Sequence, residues 1–258
     1  MIKIALISDI HANLPAMEAC LEDVFSHHPD AIYCLGDLVG YNVWPNEVIQ
    51  LIRHHHIPTI KGNYDEGVGL SSDDCGCAYK SEEEKERGRQ SISYTNQVVG
   101  ADERTYLSSL PSHLSLDFHA VGVPYKLLFV HGSPRKINEY LFEDREEATF
   151  RRLMEQASTD ILCFGHTHKP YHKILEVPDD GRTRYLHAIN TGSVGKPKDG
   201  DPRGSWVLLE VDPEQARHTP SAVRVSVKRV SYDVEKAATA IECSTLPDAF
   251  AAMLRTGT

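Results

Sequence analysis

The sequence predicts an α/β fold built from parallel βαβ units, with a polar site at the carboxyl ends of its strands. Three observations carry this. From Ile2 to Ile60, short apolar runs alternate with stripes of helical period, the pattern of strands joined by crossover helices. Residues of metal-binding type directly follow apolar runs: Asp9 and His11, Asp37, Asn63, His131, and the pair His166 and His168. The chain has 258 residues, enough for one large domain with a substantial core.

The elements follow in order. Ile2 to Ser8 is a β-rich run that ends at Asp9. Leu14 to Phe25 places Leu14, Met17, Leu21 and Val24 on one helical stripe, and Pro15 sits near its start, where a missing N–H costs little. Asp30 to Leu35 is a strand ending in Gly36-Asp37, Asn46 to His54 is a helix behind Pro45, and Ile57 to Ile60 is a short strand ending in Gly62-Asn63-Tyr64-Asp65. Residues 66 to about 80 are rich in Gly, Ser, Asp and Cys and read as loop. Ser81 to Val99 reads as a helix whose acidic first turn, Glu82 to Glu84, suits the positive end of the helix dipole. Asp102 to Leu110 reads as a shorter one. Residues 66–110 are therefore expected to form a helical insertion or cap on a single domain spanning 1–258. His113 to Phe118 and Tyr125 to Val130 are two strands of an expected hairpin, and Arg145 to Gln156 is a helix. Ile161 to Phe164 is a buried strand before His166 and His168. Tyr171 to Val177 and Arg184 to Ile189 pair across an Asp179-Asp180-Gly181 turn. Ser205 to Val211 and Ala222 to Val230 are the last strands, and Val234 to Leu254 is helical, interrupted near Pro247.

Composition narrows the function. Lys plus Arg is 27 against 37 for Asp plus Glu, a net charge of −10, which disfavours broad contact with a nucleic-acid backbone. The six cysteines form no disulfide framework. The first apolar run is broken by Lys3 and ended by Asp9, too short for a signal segment, and no stretch is long enough to span a membrane. A cytoplasmic protein is expected.

Histidines spaced i, i+2 on a loop past a strand can turn both rings into one crevice. In open α/β sheets that crevice is where sites form. Carboxylate, amide oxygen and imidazole together suit two borderline divalent ions better than calcium, which prefers oxygen alone. One aspartate can bridge such ions at about 3.5–4 Å, and metal binding lowers the pKa of water from about 15.7 toward neutrality. The expected reaction is in-line attack on phosphorus by a metal-bridging hydroxide.

In order, the five segments are Asp9-Ile10-His11, Gly36-Asp37-Leu38-Val39-Gly40, Gly62-Asn63-Tyr64-Asp65, His131-Gly132 and Gly165-His166-Thr167-His168. They resemble the signature of the calcineurin-like metallophosphoesterases over about residues 5 to 195, and most closely that family's small bacterial and archaeal phosphodiesterase-type branch. The resemblance implies a four-layer αββα sandwich, two packed mixed β-sheets flanked by helices. It implies that Asp9, His11 and His168 hold one metal, that Asn63, His131 and His166 hold a second, and that Asp37 bridges them. Manganese is the expected metal, with iron, zinc or nickel as alternatives. The expected substrate is small and phosphorylated, a phosphodiester or a nucleotide phosphoanhydride. Dinucleoside polyphosphate hydrolase and protein phosphatase are alternatives, and a non-catalytic scaffold like the retromer subunit of this fold is the rival outside enzymes. All seven positions carry residues able to bind metal, which favours the enzyme.

The chain departs from the pattern at Tyr64, where the family often has a histidine that stabilises the transition state with the aspartate matching Asp65. A phenol of pKa about 10 donates a hydrogen bond but carries no positive charge at neutral pH. Tyr64 is therefore expected either to bias the enzyme toward good leaving groups or to pack over the site. Asp37, Asn63, Tyr64, Asp65 and His131 form the expected catalytic set. Arg135 and Arg203, with Lys196 and Lys198 near the second, lie close in sequence to site segments, and the two arginines are expected either to hold further substrate phosphates or to form ordinary surface salt bridges. Cys75-Gly76-Cys77 lacks the second pair that a zinc knuckle needs, and His54 to His56 read as a solvated helix end.

Overall fold

The structure is a computed structural model that describes residues 1–79, 81–118 and 125–258; Lys80, at the end of the expected loop, lies outside them. The strands are β1 (Ile2–Ile7), β2 (Ala31–Cys34), β3 (His113–Phe118), β4 (Tyr125–Val130), β5 (Ile161–Phe164), β6 (Tyr171–Asp179), β7 (Arg182–Asn190), β8 (Gly204–Val211) and β9 (Val223–Val230). They form two mixed sheets, of order β2-β1-β8-β9 and β3-β4-β5-β7-β6. The helices are α1 (Leu14–Ser26), α2 (Pro45–His54), α3 (Asn63–Gly69), α4 (Glu82–Val98), α5 (Ala101–Ser109), α6 (Glu147–Gln156), α7 (Val234–Glu242) and α8 (Ala249–Thr256).

Strand alternation builds the layers. In β1, Ile4 and Leu6 face the other sheet, where they join Leu127, Phe129, Ile161, Cys163, Val207 and Leu209 in an inter-sheet core. Ala5 and Ile7 face outward onto α1, α2 and α7 through Met17, Leu21, Ile49, Ile52 and Ile241. On the second sheet Leu162 and Phe164 face outward onto Phe150, Leu153 and Met154 of α6. The result is the expected order of helices, sheet, sheet, helix. Each fully buried Leu, Ile or Phe stabilises it by about 1.5–3 kcal/mol relative to exposure.

The local signals work as the sequence suggests. Asn13 caps α1, its Oδ1 accepting from the Ala16 amide at 3.2 Å, and Ser81 caps α4 through the Glu84 amide at 3.1 Å. Pro45 occupies the first turn of α2. β3 and β4 pair antiparallel, as in the expected hairpin, whose connection at 119–124 lies outside the described residues. Asp180 and Gly181, both at positive φ, turn β6 into β7.

Two segments differ from the sequence reading. Ile57 to Ile60 makes only a bridge to β2: the Cys34 amide donates to the Pro58 carbonyl and the Ile60 amide to the Cys34 carbonyl, each at 3.0 Å. Pro58 has no N–H to extend the ladder. Asn63–Gly69 is helical, so Asn63 opens α3 rather than ending a strand. Asp65 supports that start by accepting the Gly62 amide at 2.9 Å.

Candidate metal centre

The loops beyond β1, β2, β4 and β5, together with the first turn of α3, converge on one buried crevice. Two groups of side chains meet there: Asp9, His11 and His168, and Asp37, His131 and His166. Within each group the candidate ligand atoms all lie within 4.8 Å of one another. Asn63 joins the second group, its Oδ1 3.1 Å from His131 Nε2. Asp37 Oδ2 lies 3.3 Å from His131 Nε2 and 3.6 Å from His11 Nε2, so it faces both groups.

The backbone is held in sparsely populated conformations to achieve this. Asp9, His11, Asp37, His166 and His168 all have φ between 49° and 66°, a left-handed region that costs of order 1–3 kcal/mol per non-glycine residue. Tertiary contacts hold them there. The Asp9 amide donates to the Gly36 carbonyl at 2.9 Å, and the His11 amide to the Asp37 carbonyl at 3.0 Å. Asp65 accepts the amides of Asp37 and Leu38 at 2.7 and 2.9 Å. Asp37 Oδ1 accepts the Tyr64 amide at 2.9 Å, which leaves Oδ2 to face the crevice.

The histidines are also oriented. Nδ1 of His11, His131 and His168 faces the carbonyl oxygens of Val39, Leu35 and Lys196 at 2.9, 2.8 and 2.5 Å. A carbonyl only accepts, so each Nδ1 carries the proton and each Nε2 is turned inward. His11 Nε2 and His168 Nε2 are 3.2 Å apart. In neutral rings two lone pairs would face each other across that gap, an arrangement a cation relieves. His166 Nε2 is buried with no hydrogen-bond partner among the described residues. The donor set and these unpaired nitrogens fit two divalent ions of the borderline class.

The electrostatics agree in direction. Burial pushes the Asp9 and Asp37 carboxyls upward, but the neighbouring imidazoles, chiefly His168 for Asp9 and His131 for Asp37, outweigh it and hold both below the usual carboxylate range. Burial drives His11 and His166 down to about 3, and burial followed by Lys198 lowers His168. His131 is the exception. Burial acts downward there too, yet the Asp37 charge raises it to about 10. A cation entering the second group therefore competes with a proton on His131.

The remaining expected residues fall into place differently. Tyr64 is buried, with its ring edge-on to His11 at 5.4 Å, and among the described residues its hydroxyl makes no hydrogen bond of ordinary geometry. Asp65 accepts three main-chain amides and makes no bond to that hydroxyl. Burial, then the Asp37 charge, raises it to about 7. Arg135 pairs with Glu139 and Arg203 with Asp201, both at exposed positions.

Sequence reasoning missed the residues that steady the ligands. Ser8 Oγ donates to Asp9 Oδ2 at 2.6 Å, and Ser193 Oγ to the Asp9 carbonyl at 2.7 Å. Asn63 Nδ2 donates to the Cys75 carbonyl at 3.0 Å and to Cys77 Sγ at 3.2 Å. Tyr140 lies against His166 with centroids 4.1 Å apart. The serines carried a signal, since each sits beside a site segment; Cys77 and Tyr140 carried none.

Comparison with known proteins agrees with this geometry. The profile of the calcineurin-like phosphoesterase superfamily domain matches residues 2–214. An uncharacterized protein of Methanocaldococcus jannaschii is 33% identical over 257 residues, covering 95% of this chain and 94% of its own. The crystal structure of a metallophosphoesterase from Sphaerobacter thermophilus is similar with a TM-score of 0.72 and 28% identity, covering 100% of this chain and 99% of its own. A hypothetical protein of Pyrococcus horikoshii shares the fold with a TM-score of 0.77 at 23% identity, with the same coverage.

Proposed function

The chain belongs to the calcineurin-like phosphoesterase superfamily, hydrolases of phosphoester bonds, and from that premise we propose that it cleaves a phosphodiester or nucleotide phosphoanhydride at a binuclear metal centre. The observation that carries the reading is the pair of buried three-residue groups with Asp37 Oδ2 between them. Asp9, His11 and His168 would hold one ion and Asn63, His131 and His166 the other, with Asp37 shared. Two divalent ions there would acidify water and polarise a phosphoryl oxygen, manganese being the expected metal.

The chain's own residues do the rest. Asp65 and the Tyr64 amide fix Asp37, so its free oxygen points at both groups. The main-chain carbonyls behind His11, His131 and His168 fix their tautomers. Tyr64 packs its buried ring against His11 on one side of the crevice. In the overall reaction a P–O bond forms to water, the bond to the leaving oxygen breaks, and that oxygen takes up a proton. A phenol donates that proton less readily than an imidazolium, so good leaving groups are favoured.

No helix among the described residues is long and apolar enough to cross a membrane, and we place the protein in the cytoplasm, acting on a small soluble substrate. The test is hydrolysis of an aryl phosphodiester by protein stripped with chelator and reloaded with manganese. Turnover that needs the metal and is abolished in Asp37→Ala supports the proposal. Manganese-loaded protein that turns over no phosphoester opposes it.

A further inference from the structure

A cavity of about 500 Å³ opens beside the ligand cluster. Its walls touch both metal groups. Tyr41 packs edge-on against His11 with centroids 4.8 Å apart, and Tyr140 lies 4.1 Å from His166. Cys77 accepts from Asn63, and the Lys198 amide donates to the His168 carbonyl at 3.3 Å. The opposite walls come from the insertion, through Tyr79 and Arg87, and from α8, through Phe250 and Met253.

This lining combines aromatic rings with the basic side chains of Lys196, Lys198 and Arg87, beside one carboxylate side chain, Glu84. Lys196 is only 4% exposed. Its Nζ reaches Met253 Sδ at 3.7 Å and the Thr258 carbonyl at 3.5 Å, and sits 5.0 Å from the Tyr41 ring centroid. Lys198 Nζ lies 6.0 Å from the same centroid. Among the described residues, neither lysine is in an ion pair with an Asp or Glu side chain, whereas Arg87 pairs with Glu83 on its own helix. Burial lowers both amines, Lys196 well below the usual lysine range, and an anion bound between them favours their charged forms. In a chain of net charge −10, two such lysines beside the catalytic crevice are a local exception.

We propose that this cavity receives the part of the substrate beyond the scissile phosphate. It selects a ring-bearing phosphate with a second anionic group, the chemistry of a nucleoside di- or triphosphate. Lys198 and Lys196 hold the second phosphate, and Tyr41, Tyr79 and Tyr140 bound the space for the ring. The volume suits one nucleotide, being within the usual range of about 300–1,000 Å³ for small-molecule sites. Segment 66–110 then acts as the cap over the substrate. The assignment rests on the hydrolase reading for its orientation toward the metals, but its recognition chemistry is separable.

The test is calorimetric binding of the β,γ-methylene analogue of a nucleoside triphosphate to the manganese-loaded full chain, beside the bare nucleoside and inorganic tripolyphosphate. The analogue should bind at least about tenfold tighter than either fragment, the value of one charge-assisted contact. Lys198→Met should weaken the analogue about tenfold or more, and Lys198→Arg should recover most of the loss. If Lys198→Met does not fold, Tyr79→Ala takes its place and should weaken the analogue more than it weakens tripolyphosphate. An analogue that binds no tighter than tripolyphosphate overturns the ring site. Lys198→Met that binds like the parent overturns the phosphate site. Turnover of an aryl phosphodiester alongside either result leaves the hydrolase standing and removes only this assignment. Binding as expected without turnover of any phosphoester removes the hydrolase and keeps the cavity.

Discussion

Gly62→Ala perturbs the carboxylate of Asp37 without replacing a candidate ligand. Gly62 has φ −91° and ψ 178°, a conformation alanine adopts freely, so the effect is steric alone. A Cβ there would lie 2.0 Å from Asp37 Oδ1 and 2.3 Å from the Asp37 amide nitrogen. Real Cβ atoms do not approach closer than 3.0 Å, so the carboxylate must retreat by roughly 1 Å. That motion strains the bond from the Tyr64 amide and shifts Oδ2 from its place beside His11 and His131. Overpacking of this kind costs about 1–3 kcal/mol of stability, which the fold survives. Displacing groups that orient metal ligands costs about 10–100-fold in affinity or activity, and both ions should suffer because Asp37 faces both groups. The assay is calorimetric titration of apo protein with manganese, with a melting curve as the folding control. A folded Gly62→Ala that binds two ions with the parent's affinities would refute the placement of Asp37 as the shared ligand.

Two further outcomes follow from particular contacts. Cys77→Ala removes one of two acceptors that hold the Asn63 amide, so the ion at the second group should weaken by about tenfold while the first is less affected; equal weakening in a competition titration would contradict the assignment of Asn63. The second concerns acid stability. His172 Nε2 and His187 Nδ1 lie 2.9 Å apart, and burial drives them down to about 4 and about 3. Because both folded values are below the unfolded value of about 6.5, the unfolded chain takes up protons first as pH falls. The stability these rings contribute is complete above pH 6.5 and is lost progressively as pH falls from 6.5 to the folded values of about 4 and about 3. His187→Leu should flatten the dependence of melting temperature on pH between 6.5 and 4; an unchanged slope would count against it.

The candidate ligands were legible in the sequence because each follows an apolar run that the fold turns into a strand or bridge, and strand ends converge in an α/β sheet. Asn63 was legible as a candidate beside the crevice, but its helix was not. Gly67 and Gly69 obscured the helical pattern, while Asp65, the side chain that accepts the Gly62 amide, was visible but unread. The short strand at Ile57–Ile60 failed because one proline removes a ladder donor. The cavity was the least legible part. Tyr41, Tyr79, Tyr140, Lys198 and Phe250 come from five separated segments, and only tertiary packing brings them together. The expected phosphate contacts at Arg135 and Arg203 followed proximity in sequence, whereas the structure gives each a carboxylate partner and turns the lysines toward the cavity.

The most direct test is a count of ions per chain in three proteins reloaded with manganese after chelation: the parent, His168→Ala and His166→Ala. His168 belongs to one group and His166 to the other. The account predicts two ions in the parent and one in each variant, with the remaining ion at the intact group. A parent that binds none, or variants that lose both ions together or neither, would contradict two sites joined through Asp37.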